Sequence, residues 1–402
     1  MNNLDIIYNS LADVQHYIEK KHFKGHDPYD TLGAWFPFHW FGKWGQAVAI
    51  QAGKLIPFNF RLLFGIKKEE NPKGLGLILQ AYCILYETRQ DINYLERAKY
   101  LFKKLIELRS EGYTHYCWGY NFIWANPQKV LRKYHPSAVV TSFVGQGIFK
   151  YYSLTNDKEA FEILKSIAQF ILEALPRVET SEGIYFCYTS EDKDCCYNAS
   201  MLCAEFLAMV YSITGDDQYK EYALLAARLV VHHQHEDGHW NYSINLTNGI
   251  ERQQIDFHQG FVLMSLYTVA KYTTIDDKEI ELSIRKGLKY YREAQFYDNG
   301  QSLWRIPKAY PVDIHNQSQG IITFSQLSLY NKEYLQFANT IAKWTIKNMQ
   351  SNKGYFYYRK FKYYTNKVSY MRWSQAWILL ALSRLVTTKN GNDIDKDSEY
   401  RE

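Results

Sequence analysis

Five segments of this sequence are apolar on nearly every side when drawn as helices, although each opens with a few polar residues. They are 135–152, 197–211, 256–272, 313–330 and 369–387. A helix that is apolar all round is a buried helix. The stretches between them are amphipathic, as in 277–292, where Ile280 and Leu288 fall on one helical face among Lys and Glu. The pattern therefore predicts buried helices that alternate with helices exposed on one face.

A turn of the form Gly-x-aromatic recurs between these helices. Its copies are Gly183-Ile184-Tyr185, Gly238-His239-Trp240 and Gly354-Tyr355-Phe356, with looser copies at Gly300 to Trp304 and at Gly112-Tyr113. In chain order the five glycines are separated by 71, 55, 62 and 54 residues. A period of this length corresponds to two helices with their loops, and such a repeat indicates an architecture of stacked identical units.

Repeated pairs of one buried and one amphipathic helix predict a ring of helical hairpins, with an inner barrel surrounded by an outer layer. The predicted fold is all-α, an (α/α)6-type barrel of six or seven hairpins, with the glycine turns as short β-hairpins or loops at one rim. An early hairpin joins 74–90 to 94–110, and residues 1–50 add one or two elements. No linker divides the chain, so 1–389 is predicted to be one domain, followed by a polar, frayed tail at 390–402.

The composition points to a concave site. The chain has 35 Tyr, 22 Phe and 10 Trp among its 402 residues. Tyrosine suits a half-wet wall better than a dry core, and an aromatic excess argues against disorder and against a coiled coil. A net charge of +5 is too small for this length to indicate nucleic-acid binding by itself, so nucleic acid is an unlikely partner.

Cysteines and the amino-terminal residues favour a cytoplasmic protein. Residues 1–21 carry Asp5, Asp13 and Glu19 in a helix-like pattern and lack the apolar core of a signal peptide. No run of about 18 apolar residues is present. The six cysteines form no Cys-x-x-Cys pair, and they are predicted to be buried free thiols.

The stretches Gln234 to Trp240 and Asp256 to Gly260 resemble the turn-and-helix repeat of the α/α-toroid proteins. That superfamily includes six-hairpin glycosidases, polysaccharide lyases, uronyl epimerases, sugar 2-epimerases, terpenoid cyclases and protein prenyltransferases. The Asp-x-Asp-Asp motif of protonating cyclases is missing from this sequence. Gly25 to Asp30 and Asn71 to Gly74 are similar to toroid proteins associated with surface-polysaccharide synthesis. The resemblance implies the fold and a carbohydrate ligand, but toroids carry many different reactions.

The form Asp-x-His-amide occurs twice, 57 residues apart, where two successive buried helices begin. The four catalytic candidates are Asp256, His258, Asp313 and His315. On neighbouring helices of a barrel they would share one rim, where Asp and His can serve as general base and acid and two facing carboxylates can serve glycoside hydrolysis. The alternative is structural, because Asp is a preferred helix N-cap and a His two positions later can simply pack in the wall.

Further polar and aromatic residues near the predicted mouth are candidates for substrate binding. Amides can satisfy sugar hydroxyls, Arg can pair with a carboxylate, and an indole can cover the apolar face of a pyranose. The candidates are Asp27, Tyr29, Asp30, His135, Tyr197, Trp240, Gln317, Gln319, Arg372, Trp373 and Gln375. Glu205 has a comparable position on its helix. Core packing of the Trp residues and a rigid turn at Pro28 are the alternatives.

A run of histidines and a basic, aromatic segment are two further features of the sequence. In the run His232 to His239, only His235 and His239 would meet across a turn, and no third ligand is evident, so no metal and no cofactor are predicted. The segment 353–367 interleaves basic and aromatic residues. It is interpreted as a β-hairpin with alternate residues packed and wet, which also leaves open a surface for an anionic chain.

The sequence thus predicts an enzyme that modifies or cleaves a saccharide or polysaccharide by acid–base chemistry at the barrel mouth. An anionic, uronate-containing substrate is one of the candidates. Epimerisation, β-elimination and hydrolysis stay open as alternatives. A second hypothesis is a non-catalytic glycan-binding or scaffold protein in polysaccharide biosynthesis. A third, nucleic-acid binding through 353–367, would show steep salt dependence.

Overall fold

Most of the chain is helical. The computed structural model describes residues 3–127, 129–190 and 195–389, so the predicted tail at 390–402 lies outside the described residues. In chain order the helices are α1 (Asn3–Lys20), α2 (Gly42–Leu55), α3 (Pro72–Arg89), α4 (Ile92–Glu107), α5 (Ala138–Thr155), α6 (Lys158–Gln169), α7 (Tyr197–Thr214), α8 (Asp217–His232), α9 (His258–Thr273), α10 (Lys278–Gln295), α11 (Ile314–Gln326), α12 (Glu333–Met349) and α13 (Trp377–Lys389). A π-helical turn at Met371–Ala376 leads into α13, and another at Phe170–Ala174 extends α6.

The odd-numbered helices from α3 to α13 form a closed inner ring. Each contacts the next, and α13 returns to pack against α3. The helices α4, α6, α8, α10 and α12 follow the inner helices and pack outside them. The sixth outer place belongs to α1, which packs against α12 and α13, so the two ends of the described chain complete one hairpin. The predicted all-α barrel is confirmed, with six hairpins in the described residues.

Burial separates the two layers as the sequence pattern predicts. In α7 every residue from Tyr197 to Val210 is buried, whereas α10 buries a stripe that includes Ile280, Ile284 and Leu288. Four outer helices begin with an aspartate whose side chain accepts a hydrogen bond from the first turn, a preferred N-cap. These caps are Asp91, Asp157, Asp216 and Asp277.

Short antiparallel strands lie in the loops that lead from outer to inner helices. The strands are β1 (Trp124–Ala125), β2 (Val130–Leu131), β3 (Arg177–Thr180), β4 (Gly183–Phe186), β5 (Cys195–Cys196), β6 (Ser243–Asn245), β7 (Ile250–Arg252), β8 (Val312–Asp313), β9 (Arg359–Lys360) and β10 (Thr365–Asn366). They form the pairs β1–β2 and β3–β4 and the three-stranded sheets β5–β6–β7 and β8–β9–β10. Because inner helices begin directly after these loops, the strands mark the rim where the mouth lies.

The repeated glycine turns join this rim to the outer layer. All five turn glycines have positive φ, between 83° and 143°. A Cβ on Gly238 would lie 2.5 Å from the Lys286 carbonyl oxygen of α10, so both the backbone conformation and the close approach require glycine there. Gly183, Gly300 and Gly354 approach α8, α12 and α1 in the same way. These four turns therefore hold one hairpin against the outer helix of the next, whereas a Cβ on Gly112 would meet nothing within 4 Å.

Side chains near the starts of several inner helices fasten the turns that precede them. Gln259 binds both backbone polar groups of Trp240, and Gln375 does the same for Phe356. Thr141 makes the equivalent pair of bonds to Trp118, which shows that Trp118, rather than Tyr113, is the aromatic residue of the first copy.

The 353–367 segment is a hairpin, as predicted, in which β9 pairs with both β10 and β8. Its predicted alternation breaks at Arg359. Phe356 and Tyr358 are buried, but Arg359, expected on the other face, is also buried because it binds Asp313. The orientation of Arg359 is therefore set by its ion pair with Asp313, a residue outside the hairpin, and not by the alternation within the hairpin.

Candidate functional site

The first Asp-x-His copy is a hydrogen-bonded pair at the start of α9. His258 Nδ1 lies 2.5 Å from Asp256 Oδ1, and Gln254 donates to Asp256 Oδ2 at 2.8 Å. Burial raises the pKa of Asp256, but the nearby His258 and Arg305 outweigh burial and leave that pKa below its usual value. An ionised Asp256 can only accept, so Nδ1 carries the proton and Nε2 is the nitrogen left for proton transfer.

The second copy has a different arrangement. Asp313 caps α11 by accepting the backbone N–H of His315 at 3.0 Å. Its carboxylate also accepts from Arg359 Nε at 2.6 Å and from Trp373 Nε1 at 2.8 Å. Asp313 is 1% exposed. Its two oxygens are therefore engaged by three donors, and it positions the helix, Arg359 and Trp373 rather than the imidazole.

His315 sits among aromatic rings. Its ring centroid lies 4.2 Å from that of Phe257, 4.5 Å from Trp377 and 4.7 Å from Trp373. Neither ring nitrogen has a hydrogen-bond partner in the part of the chain that the structure describes. Burial, followed by the charges of Lys73 and Arg372, lowers the pKa of His315 well below its usual value. His315 is thus a neutral imidazole with two unused nitrogens.

The two histidines belong to one cluster. The Phe257 ring contacts both imidazoles, each at 4.2 Å between centroids. Phe261, one turn further along α9, also packs against both. His258 faces Tyr242 on its other side, at 4.9 Å. Neighbouring inner helices therefore bring both predicted histidines to a single aromatic-walled place.

Lys73 completes the cluster from α3. Its Nζ lies 4.2 Å from the Phe143 ring centroid and 5.3 Å from that of Trp377, and the residue is 4% exposed. Burial and the charge of Arg372 lower the pKa of Lys73 well below its usual value, against a smaller opposing effect of Asp27. A lysine so placed can lose its proton at far lower pH than a surface lysine.

The amino-terminal loop crosses the mouth and binds the start of the last inner helix. Arg372 pairs with Asp27 through two hydrogen bonds of 2.6 and 2.8 Å, in a pair that is almost fully buried. Tyr29 packs against Trp373. Asp30 is 2.5 Å from the guanidinium of Arg61, while burial raises the pKa of Asp30 to about 6. Asp27, Tyr29, Arg372 and Trp373 are therefore brought together at the mouth.

A cavity of about 180 Å³ lies beside the Arg372–Asp27 pair. It is lined further by residues of the loops before α3 and α5, among them His26, Asn71, Asn121 and Lys133. Arg372 lines this cavity, and the next residue, Trp373, packs against His315 at 4.7 Å between ring centroids. The cavity is thus next to the histidine cluster, and its lining combines amide, cationic and imidazole groups with the carboxylates of Asp27, Asp30 and Glu69.

Several predicted substrate-binding residues lie elsewhere. Trp240 is fully buried between layers, where its indole donates to the Val230 carbonyl of α8. The side-chain amides of Gln317 and Gln375 are hydrogen-bonded to the backbone of the preceding turns. Both glutamines therefore fix the rim rather than face a ligand, because the repeated turns need these hydrogen bonds.

The remaining candidates are also apart from the cluster. The Tyr197 hydroxyl donates to Glu251 at 3.4 Å. Gln319 lies one turn below His315 and donates to Thr323, and its Oε1 has no partner among the described residues. His135 is half-buried in the loop before α5. Glu205 lies deeper on α7, accepts from Ser265 at 2.7 Å, and burial raises its pKa to about 7.

Sequence reasoning did not assign Lys73, Arg359 or Trp377 to the site. For Lys73 a signal existed: it is a cation in the first turn of a buried helix, where the helix dipole disfavours positive charge. Arg359 carried no such signal, since its partner Asp313 is 46 residues away.

The run of histidines forms pairs with carboxylates. His235 lies 2.9 Å from Glu251 and His239 2.5 Å from Asp237, and the two imidazoles stack at 4.2 Å. Within residues 3–127, 129–190 and 195–389 no group of three His, Cys, Asp or Glu side chains is placed to hold a metal ion. The six cysteines are buried free thiols, as predicted.

No protein-family model and no curated protein matches the sequence. Solved structures do match. A cellobiose 2-epimerase from Bacillus thermoamylovorans superposes with a TM-score of 0.65 at 13% identity, over 81% of this chain and 90% of that one. A GH76 α-mannanase from Bacteroides thetaiotaomicron gives 0.62 at 15% identity, over 80% and 88%. A D-mannose isomerase gives 0.62 at 12% identity, over 80% and 87%.

This chain has the α/α-toroid fold. The match covers most of both chains and includes proteins named for three different reactions, which agrees with the ring of six hairpins in the described residues. At such low identity the similarity establishes the toroid architecture, and the chemistry has to be argued from the side chains at the mouth.

Proposed function

We propose that this toroid protein epimerises or isomerises an uncharged sugar by moving a proton at the carbon next to the carbonyl group. The observation that carries the proposal is the pair of imidazoles on neighbouring inner helices, His258 and His315, which share the Phe257 ring. Each has a nitrogen left for proton transfer. Aromatic rings surround them, as suits the apolar face of a sugar.

In the proposed reaction one imidazole removes the proton from the carbon next to the carbonyl of the open-chain sugar. The electron pair of that C–H bond forms the C=C bond of an enediolate, and negative charge passes to the carbonyl oxygen. For epimerisation, the second imidazole returns a proton to the opposite face of the same carbon, and the carbonyl group re-forms. For isomerisation, the proton returns to the former carbonyl carbon, and the hydroxyl proton on the neighbouring carbon moves to the former carbonyl oxygen, so that the new carbonyl group forms at that neighbouring carbon. General acid–base catalysis of this kind contributes about 10²- to 10⁴-fold.

The two histidines have different surroundings that fit different roles. His315 is neutral because burial and positive neighbours lower its pKa, which suits a base. His258 is held by the ionised Asp256, which fixes the orientation of its ring and leaves Nε2 to carry the returning proton. Lys73, beside both Phe143 and Trp377, would donate a hydrogen bond from Nζ to the developing enediolate oxygen.

Two features disfavour the alternatives. Hydrolysis of a glycoside needs two carboxyl groups facing one bond, but Asp256, Asp313 and Asp27 are all engaged by basic side chains or imidazole. A uronate would need a cation for its carboxylate, and Arg372 already binds Asp27 in a bidentate pair. An uncharged sugar therefore suits this mouth better than an anionic one. The structures of a cellobiose 2-epimerase and a D-mannose isomerase with the same fold add support.

The test is proton exchange. Glucose, mannose and cellobiose are incubated with the protein in deuterated water, and NMR records deuterium at C2 together with any new sugar. We expect exchange with at least one of them, and a decrease of about 10²- to 10⁴-fold in His258→Asn and in His315→Asn. His232→Asn, at a largely exposed histidine, is the matched control and should keep full activity.

Unchanged exchange in both single variants would refute the assignment of these histidines. If the wild-type protein binds a sugar, as seen by calorimetry, but exchanges no proton in any of them, the non-catalytic glycan-binding hypothesis replaces the enzyme. Release of reducing ends from a mannan would instead favour hydrolysis. The link to surface-polysaccharide synthesis and the cytoplasmic location stay predictions.

A further inference from the structure

The segment between α1 and α3 exposes an unusual amount of apolar surface. We call residues 35–63 the apolar flap; it contains α2 and the loops on either side of it. The exposed fractions reach 69% for Trp35, 77% for Trp40, 68% for Trp44 and 77% for Leu63. Single exposed apolar residues are ordinary, but a contiguous exposed patch marks a binding surface. The other exposed members are Phe36, Phe41, Val48, Leu55, Phe58 and Leu62.

The helix of the flap is apolar on its outward face. Trp44, Val48 and Leu55 recur at helical spacing and are all more than 60% exposed. The opposite face, with Ala47 and Ile50, is buried against the protein. A surface helix ordinarily turns polar residues to water. This one has an apolar face left over after packing.

The charge around the flap has one sign. Residues 31–68 contain five basic residues and no Asp or Glu, and 353–367 likewise contain five basic residues and no acid. The hairpin of 353–367 adjoins the flap, because Asn366 donates to the Ile56 carbonyl, and its Tyr363 is 88% exposed. The whole chain has a net charge of only +5, so the rest of it is net negative. Arg61 and Arg359 are buried in ion pairs with Asp30 and Asp313. The positive charge beside the exposed aromatics therefore comes from the other eight basic residues, all of them Lys.

We propose that the apolar flap, with the adjoining hairpin, binds the surface of a bilayer that contains anionic lipids. Segments that lie in the headgroup region of a bilayer typically have Trp and Phe on one face and Lys at the margin of that face, as the flap does. No helix among the described residues is long and apolar enough to cross a membrane, so the contact is peripheral. A second copy is a poorer occupant, since two such surfaces would bring like charges together.

The flap is joined firmly to the mouth. Arg61 is fully buried and binds both Asp30 and the backbone carbonyl of Asp27. Lys54 donates to the Tyr29 hydroxyl at 3.2 Å. A bilayer bound by the flap would therefore lie next to the loop that crosses the mouth. Lipid binding by the flap is independent of the reaction proposed above.

The test is flotation of the full chain with vesicles. We expect binding to vesicles of phosphatidylcholine and phosphatidylglycerol at three to one, and much weaker binding to phosphatidylcholine alone. Trp40→Ser with Trp44→Ser should weaken binding by at least about tenfold, because two exposed indoles lose their contact with the lipid. Lys67→Glu with Lys68→Glu should weaken it by about thirtyfold or more, since each basic residue near an anionic surface contributes about a fivefold factor.

Matched controls lie at the far ends of outer helices. Ile92→Ser with Leu282→Ser removes two exposed apolar residues, and Lys158→Glu with Lys278→Glu reverses two exposed charges. Neither pair should change binding. Absence of binding to the anionic vesicles, or equal losses in flap and control variants, would overturn the proposal. So would sedimentation showing a dimer that the flap substitutions dissociate, because the patch would then be an interface between copies.

Discussion

The two Asp-x-His copies have the same local sequence, but their aspartates bind different partners. In the first, Asp256 binds the imidazole of His258. In the second, Asp313 binds Arg359, Trp373 and the helix backbone, and His315 keeps both nitrogens free of hydrogen bonds among the described residues. The difference is the buried Arg359 of the neighbouring hairpin, which binds Asp313 and has no counterpart at Asp256 that is equally buried. A buried arginine thus decides whether such an aspartate binds the imidazole of its own motif or stabilises the fold.

The largest expected effect on activity comes from Asp256. In Asp256→Asn the imidazole of His258 loses the carboxylate that fixes its tautomer and orientation, and we expect proton exchange to fall about 10²- to 10⁴-fold. Stability should change little, because Arg305 is 42% exposed and can turn to water. Deuterium exchange and urea denaturation of the same sample separate the two effects. A loss of stability as large as the loss of activity would contradict the comparison.

The matched substitution Asp313→Asn should act on the fold instead. It leaves the Arg359 guanidinium buried without its carboxylate, and breaking a buried ion pair costs about 3–5 kcal/mol of unfolding free energy. Urea denaturation measures this. Asp313→Asn combined with Arg359→Met should recover at least half of the loss, because the buried charge is then gone. An unchanged denaturation midpoint in the single variant would show that Asp313 is not the structural member of the two.

A smaller effect should appear in the pH profile. The charges around His315 come from Lys73 at the start of α3, Arg372 before α13, His258 on α9 and Arg359 on β9. Burial lowers the pKa of His315 most, and all of these charges lower it further, so His315 stays neutral and active as a base below the usual imidazole range. In Lys73→Met one of these charges is removed, and the acid limb of kcat/KM should move to higher pH. Lys308→Met, at an exposed lysine, is the control; an acid limb that stays fixed in Lys73→Met would argue against His315 as the base.

Much of the ring could be predicted because its signals are local and repeated. The Gly-x-aromatic turns need glycine for positive φ, and they fixed the period of the hairpins. The inner helices are apolar all round because they touch other helices on every side. The placement of His258 and His315 at one rim followed from the period alone, since successive inner helices of a ring are neighbours.

The site itself was only partly predictable. Gln317 and Gln375 look like sugar ligands by residue type, but the backbone of the rim uses their amides. Arg372 was expected to face a substrate carboxylate, and a carboxylate 345 residues away in sequence, Asp27, binds it instead. Such partners depend on long-range closure of the ring and leave no trace in local spacing.

The sequence by itself determined the alternation of buried and amphipathic helices, the turns between them and the rim on which the chemistry lies, because each of these depends on residues close together in the chain. The tertiary structure decided which charges meet. Closing the ring brought Asp27 to Arg372, Asp313 to Arg359 and Lys73 to His315. Burial in that crowded mouth, where water cannot screen charge, then made one imidazole neutral and the other the partner of an aspartate.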